Sequence, residues 1–167
     1  MIRHATTHDI DDMMTLFHQA QAYFKRSHID QWQNGYPNEE QLQSDIDRKH
    51  SYVLVEESLI GTMYFSIEDD PTYSYIEGEW KTHDQPYAVI HRIVVDENKK
   101  GRGLAKQLLE YAQTICEKEH IHSIRVDTHD DNLSMQAFLK KNGFVPCGHI
   151  YLQDGALRIA FEKLLNK

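Results

Sequence analysis

The stretch Tyr87-Ala-Val-Ile-His91-Arg-Ile-Val-Val95-Asp-Glu-Asn-Lys-Lys100-Gly-Arg-Gly-Leu-Ala105 passes from an apolar run, through a basic turn with two glycines, into a helical pattern. Val89, Ile90, Ile93, Val94 and Val95 favour extended backbone, so Tyr87 to Val95 is expected to be a strand. From Leu104 to about Lys118, Leu104, Leu108, Ala112 and Ile115 recur at i, i+4, i+8 and i+11, with Leu109 and Cys116 beside them. That spacing predicts an amphipathic helix packed on a sheet. Gly101 and Gly103 can take turn conformations closed to other residues and let a ligand approach the main chain. The N–H groups and dipole at the helix start favour an anion such as a pyrophosphate. A tight strand-to-helix connection with no ligand is the plainer alternative.

Outward from this unit, Met1 to Ala5 reads as a short strand, and Thr7 as the cap of a helix carrying Ile10, Met13, Met14, Phe17 and Ala20 to Ala22. Ser27 to Asn38 reads as a loop, ending at Asn38 as N-cap for a helix over 39–49. Ser51 to Val55 and Leu59 to Ile67 predict a hairpin. The polar, acidic segment 68–86 is expected to be a long surface loop with a little strand near Tyr73 to Ile76. Ser123 to Val126 is a strand and Asn132 to Lys141 a helix stopped by Asn142-Gly143. Phe144 to Leu152 and Ala156 to Lys163 form a closing hairpin. The order βα, α, ββ, βα, βα, ββ contains no repeat and no linker, so one domain over residues 1–167 is expected.

The chain has 167 residues, 40% hydrophobic and 26% charged, a usual globular composition, with a formal charge of −8. Phosphate-backbone binding needs a broad cationic excess, so nucleic acid is not expected as a partner. An acidic surface suits solubility and a cationic acceptor. No apolar run reaches the length of a bilayer span, and Met1-Ile2-Arg3-His4 does not open a signal peptide, so no membrane partner and a cytoplasmic location are expected. Reduced thiols at Cys116 and Cys147 fit that compartment. His120, His122 and His129 raise a metal site, but neither cysteine lies at ligand spacing from them, so none is expected.

Three kinds of phosphate turn fit two glycines after a strand. A P-loop needs Gly-Lys-Ser/Thr, whereas Leu104 and Ala105 follow Gly103; a dinucleotide fingerprint needs a third glycine where Lys106 stands. Lys100-Gly101-Arg102-Gly103-Leu104-Ala105 instead resembles the acyl-CoA motif of the GNAT superfamily of N-acetyltransferases, with Lys100 replacing the usual Gln or Arg. Asn132 to Phe144, which ends in Gly143-Phe144, is similar to a second segment of that family.

The resemblance implies an α/β (α+β) fold: the GNAT acyl-CoA N-acyltransferase fold, with a central, mostly antiparallel, twisted sheet splayed at the cofactor site and helices on both faces. It implies acetyl-CoA as acyl-donor cosubstrate. The pyrophosphate would lie on Lys100, Gly101, Arg102, Gly103, Leu104 and Ala105, and the pantetheine along the main chain of Ile93, Val94 and Val95. Asn132, Met135 and Phe138 are further expected contacts. The partner is an amine acceptor, of a small molecule or a peptide, which attacks directly in a ternary complex; a homodimer is a family habit.

An attacking amine must lose a proton, and His91 on the strand is the first candidate base, with Asp127 and His129 as others. Packing of His91 in the sheet is the alternative. Relatives often place a Tyr where Leu139 stands, to protonate the leaving thiolate; Tyr151, Tyr111 or water would replace it here. Trp32, Tyr36, His91 and His129 are the candidate acceptor contacts, and Glu68-Asp69-Asp70 is either an acceptor wall or a solvated loop. Because of Leu139, an acyl-CoA-binding regulatory module is the rival reading.

Overall fold

The computed structural model describes residues 1–165. The chain divides into two compact units interleaved along the sequence: Met1–Phe65 with His91–Ala112, and Ser66–Ile90 with Gln113–Lys167.

The first unit starts with β1 (Ile2–His4), α1 (Ile10–Arg26), α2 (Glu39–Asp47), β2 (Ser51–Val55) and β3 (Leu59–Ser66). β1 pairs antiparallel with β2, and β2 with β3, as a hairpin pattern dictates. The helix start differs from expectation. Thr6, not Thr7, is the extended residue at the cap; a short 3-10 turn, Thr7–Asp9, comes before α1. The reason is Asp9, whose Oδ2 reaches back to the Thr6 N–H at 2.7 Å, satisfying a donor the helix start would otherwise strand. Asn38 caps α2 as its sequence implies, accepting from the Gln41 N–H at 2.8 Å. The unit's core joins Ala5, Ile10, Met13, Phe17, Leu42 and Val53, with Val94 and Trp32 packed against it. On the other side of the strands, a Cβ at Gly61 would sit 3.4 Å from both Leu108 Cδ1 and Val95 Cγ1, so the absent side chain lets α3 (Leu104–Lys118) press close.

The second unit holds β4 (Glu77–Gly78), the start of β5 (Ala88–Val95), β6 (Ser123–Thr128), α4 (Leu133–Lys141), β7 (Val145–Tyr151) and β8 (Leu157–Leu164). β8 pairs antiparallel with both β6 and β7, and β4 with β7. β5 and β6 are parallel, with Ala88 opposite Ile124 and Val89 opposite Arg125; the ladder carries no further pair among the described residues. The eight strands form one sheet in the order β1-β2-β3-β5-β6-β8-β7-β4, mostly antiparallel, in a mixed α/β fold.

Segment 68–86 is a largely exposed loop, as expected, but it is anchored by the buried Tyr73, Trp80 and Thr82, and its strand lies elsewhere. Its strand is Glu77–Gly78 rather than Tyr73 to Ile76, and Pro71–Tyr73 is a 3-10 turn. Tyr73 and Trp80 are buried in a core with Tyr87, Val89, Cys147, Ile150 and Ala160. Glu162 of β8, fully buried, holds the segment in place. Its carboxylate accepts from the Lys81 N–H at 2.6 Å, from Thr82 Oγ1 and Ser123 Oγ at 2.5 Å, and from Arg125 Nε at 3.4 Å. Arg125 is in turn sandwiched between the rings of Trp80 and Tyr87, 4.2 and 4.0 Å from their centroids. Both cysteines are buried free thiols, and burial pushes the Cys116 thiol up to about 12.

Removing one member of a buried charged network strands the rest. Glu162→Ala is therefore expected to cost about 3–5 kcal/mol, a fall of roughly 10 °C in thermal midpoint at this chain length. A melt within a degree or two of wild type would contradict it.

Arg3 donates to Asp9 at 2.8 and 3.0 Å and holds that carboxyl below its ordinary value, against the opposing effect of burial. A carboxyl depressed by folding contributes stability above its unfolded value of about 3.9, and that stability is lost as pH falls through the lower folded value. Asp9→Asn should melt below wild type near neutral pH, and the gap should narrow as the pH is lowered through about 4. A gap that stays constant to about pH 2 would contradict this.

Candidate active site

In the first unit, the glycine turn is set up by Asp96. Its Oδ1 accepts from the Asn98 N–H at 3.0 Å and from Gln19 Nε2 at 3.4 Å, and Gln19 Oε1 accepts from the Glu97 N–H at 3.1 Å. Lys100 is extended; Gly101 and Gly103 have φ of 83° and 69°, the left-handed region other residues avoid. No atom lies within 4 Å of where a Cβ would stand at either glycine, so the protein leaves the space beside this main chain open. Leu104 turns into the core and Ala105 is half-buried, while Lys100, Gly101, Arg102 and Gly103 are exposed. The two cations at the turn are held. Lys100 Nζ lies 5.0 Å from the centroid of the Tyr23 ring, and Arg102 donates to both oxygens of Glu56 at 2.8 and 3.0 Å.

β5 breaks the ordinary strand rule at Arg92, whose φ is 48°. Side chains of successive strand residues point to opposite faces, yet His91 and Arg92 both lie against the ring of Tyr64, at 5.5 and 4.7 Å. Ile93, Val94 and Val95 beyond the break are all half-buried instead of alternating. What holds Arg92 there is Asp45 of α2, which accepts from Nε at 2.8 Å and Nη2 at 2.9 Å in a pair with side chains 12% and 3% exposed. Burial alone would lower the guanidinium pKa; Tyr36 and Asp45 outweigh it and raise it. Arg92 Nη1 donates to the Tyr36 hydroxyl at 2.7 Å. Trp32 is mainly a packing residue, edge-on to Phe17 and Phe24 at 5.3 and 5.6 Å, whereas Tyr36 is exposed.

In the second unit, Asp127 accepts from the hydroxyl of the buried Tyr73 at 2.7 Å; burial first, and the carboxylate second, push the Tyr73 phenol well above its ordinary value. The Tyr151 hydroxyl donates to Glu77 at 2.7 Å, which raises its pKa, and its ring stacks on Tyr75. His129 Nδ1 accepts from the Asp131 N–H at 3.0 Å. Asn132 is buried and caps α4, with Oδ1 accepting from the Met135 N–H at 3.1 Å; Met135 and Phe138 are half-buried. Leu139, at the position expected of a tyrosine acid, is in the core. Asp69 and Asp70 of the acidic run line an open cleft of about 650 Å³ with Asp84, Tyr73, Tyr87 and Arg125. Among the described residues no group of three or more His, Cys, Asp or Glu could hold a metal ion, and no helix is long and apolar enough to cross a membrane.

The first unit thus places His91 and Arg92 on the Tyr64 ring and Tyr36 on Arg92, with Ile93 to Val95 following directly along β5. Reading the sequence alone missed Arg92, Asp45 and Tyr64, and in the second unit Tyr73. The available signal was a charged residue in the middle of the apolar strand.

The broken strand thus leads into an open glycine turn and a helix within a mixed α/β fold. The model of the acetyltransferase (GNAT) family matches residues 13–144. The chain belongs to the GNAT acetyltransferase family. It is 33% identical to a GNAT acetyltransferase from Streptococcus agalactiae, over 100% of this chain and 96% of that one, with a TM-score of 0.89. PaiA N-acetyltransferase from Thermoplasma acidophilum, solved in complex with coenzyme A, is 19% identical over 98% of each chain at a TM-score of 0.70. YncA from Salmonella typhimurium, solved with its cofactor acetyl-CoA, is 14% identical over 100% of this chain and 94% of that one at 0.69. These last two likenesses are of fold alone. No curated protein matches the sequence.

Asp45→Ala leaves a buried guanidinium without its counter-charge, so it is expected to lower the thermal midpoint more than the double change Asp45→Ala with Arg92→Met. A double variant that melts lower than the single would contradict the view that the ion pair holds the strand break.

Proposed function

We propose that this chain, acting as one domain in the cytoplasm, transfers the acetyl group of acetyl-CoA to a primary amine of a small molecule or peptide by direct attack in a ternary complex. The observation that carries the reading is the turn Lys100–Ala105. Its two left-handed glycines border open space at the start of α3, whose first N–H groups suit an anion. The pyrophosphate is assigned to Lys100, Gly101, Arg102, Gly103, Leu104 and Ala105. The pantetheine is assigned to the main chain of Ile93, Val94 and Val95, by the strand-like pairing that suits an extended ligand. Proteins of the same fold crystallised with CoA or acetyl-CoA support this cosubstrate, and the buried free thiols suit a reducing compartment.

The acceptor is assigned to Tyr36, Trp32 and His91. A lone pair on the amine nitrogen attacks the thioester carbon once a base has taken its proton; His91 is the base we favour, with Asp127 as the other candidate. The C–N bond forms as the C–S bond breaks, and the electron pair leaves on sulfur. Tyr151, whose pKa Glu77 raises, is the weaker proton source. A thiol of pKa about 8.5 is a tolerable leaving group without it.

Gly103→Trp fills the open side of the turn and is expected to abolish acetyl-CoA binding in calorimetry while the protein still melts cooperatively. Retained affinity in that variant would sink the assignment.

A further inference from the structure

The Tyr36 hydroxyl has one hydrogen bond among the described residues, and in it the oxygen accepts from Arg92 Nη1. The phenol hydrogen therefore has no acceptor among the described residues, and Tyr36 is 38% exposed. Gln21 Nε2 fastens the backbone beneath it by donating to the Tyr36 carbonyl at 2.9 Å and to the Pro37 carbonyl at 3.4 Å, and Gln33 Nε2 donates to the Gln21 carbonyl at 3.2 Å. The guanidinium behind the phenol is anchored by Asp45 through Nε and Nη2, which leaves its Nη1 edge for Tyr36. A phenol that accepts from a cation is polarised as a donor, and its position is fixed before any ligand arrives.

From this arrangement we infer that Tyr36, backed by Arg92, is a donor site that selects acceptor amines carrying a carbonyl or carboxylate oxygen; the inference rests on the acetyl-transfer reading above. The oxygen takes the phenol hydrogen. A second ammonium, as in a diamine, has no such match: it would meet a donor hydrogen with a guanidinium behind it. The hydroxyl therefore favours oxygen-bearing amines against the pull that a net charge of −8 exerts on a doubly charged diamine. Arg92 is a positioning residue in this scheme, since it acts through Tyr36.

The test measures kcat and KM by release of CoA thiol, at saturating acetyl-CoA, for amino acids, amino-acid amides and dipeptides against alkylamines and diamines of equal length. Wild type is expected to favour the oxygen-bearing amines. Tyr36→Phe should lower the ratio of kcat/KM between the two classes by about tenfold, the worth of one such hydrogen bond, mainly through KM. Arg92→Met should move the ratio in the same direction, with Tyr36→Phe as the variant least prone to disturb folding. Comparing acids with amides tells carboxylate from carbonyl recognition. An unchanged ratio in Tyr36→Phe, or a wild-type preference for diamines, overturns the inference while leaving acetyl transfer intact. Wild type that binds no acetyl-CoA in calorimetry overturns the transfer reading and the inference with it.

Discussion

A left-handed residue inside an apolar strand persists only where its surroundings over-determine it, because each such residue costs about 1–3 kcal/mol. At Arg92 the determinant is the pair with Asp45, nearly closed to water, with the Tyr64 ring under the guanidinium. From that one ion pair follow the features that make the first unit a candidate site. The break brings His91 and Arg92 to the same ring and brings the guanidinium to Tyr36. A lysine at this position would lack the fork that serves Asp45 with two nitrogens and Tyr36 with a third.

The second unit solves a different problem with a similar device. A segment rich in aspartate and glutamate has to deliver Tyr73, Trp80 and Tyr87 to a core, and it does so around the buried carboxylate of Glu162. Arg125 balances that charge and fills the space between two aromatic rings. Tyr73, fixed in this way, then orients the carboxylate of Asp127. In each unit a buried Arg–carboxylate pair holds a polar side chain near the residues proposed to act.

How far the sequence exposes this depends on the range of the forces involved. The helix 104–118, the hairpin of β2 and β3, the Asn38 and Asn132 ends of their helices and the glycine turn are written in local periodicity and capping chemistry, and the structure shows them where the residues imply. The cap lies at Thr6, one residue before the Thr7 that local sequence suggests, because Asp9 reaches back three positions. Segment 68–86 reads as surface and mostly is; what the sequence hides is its anchoring through the Lys81 N–H and Thr82, because Glu162 lies some eighty residues away. The left-handed Arg92 has no local signature at all: its cause, Asp45, sits on another helix, and no propensity for Arg predicts a positive φ. The contacts assigned to Trp32 illustrate the same limit, since an aromatic loop residue looks the same in sequence whether it packs on Phe17 and Phe24 or faces a substrate.

The central claim is that acetyl-CoA is the donor and an amine the acceptor. Calorimetric titration of the wild-type chain with acetyl-CoA, followed in the same preparation by release of free CoA thiol in the presence of an amine panel, tests it most directly. The account predicts saturable one-site binding and thiol release that depends on the amine. Failure to bind acetyl-CoA, or thiol release at the same rate with and without every amine, would contradict it.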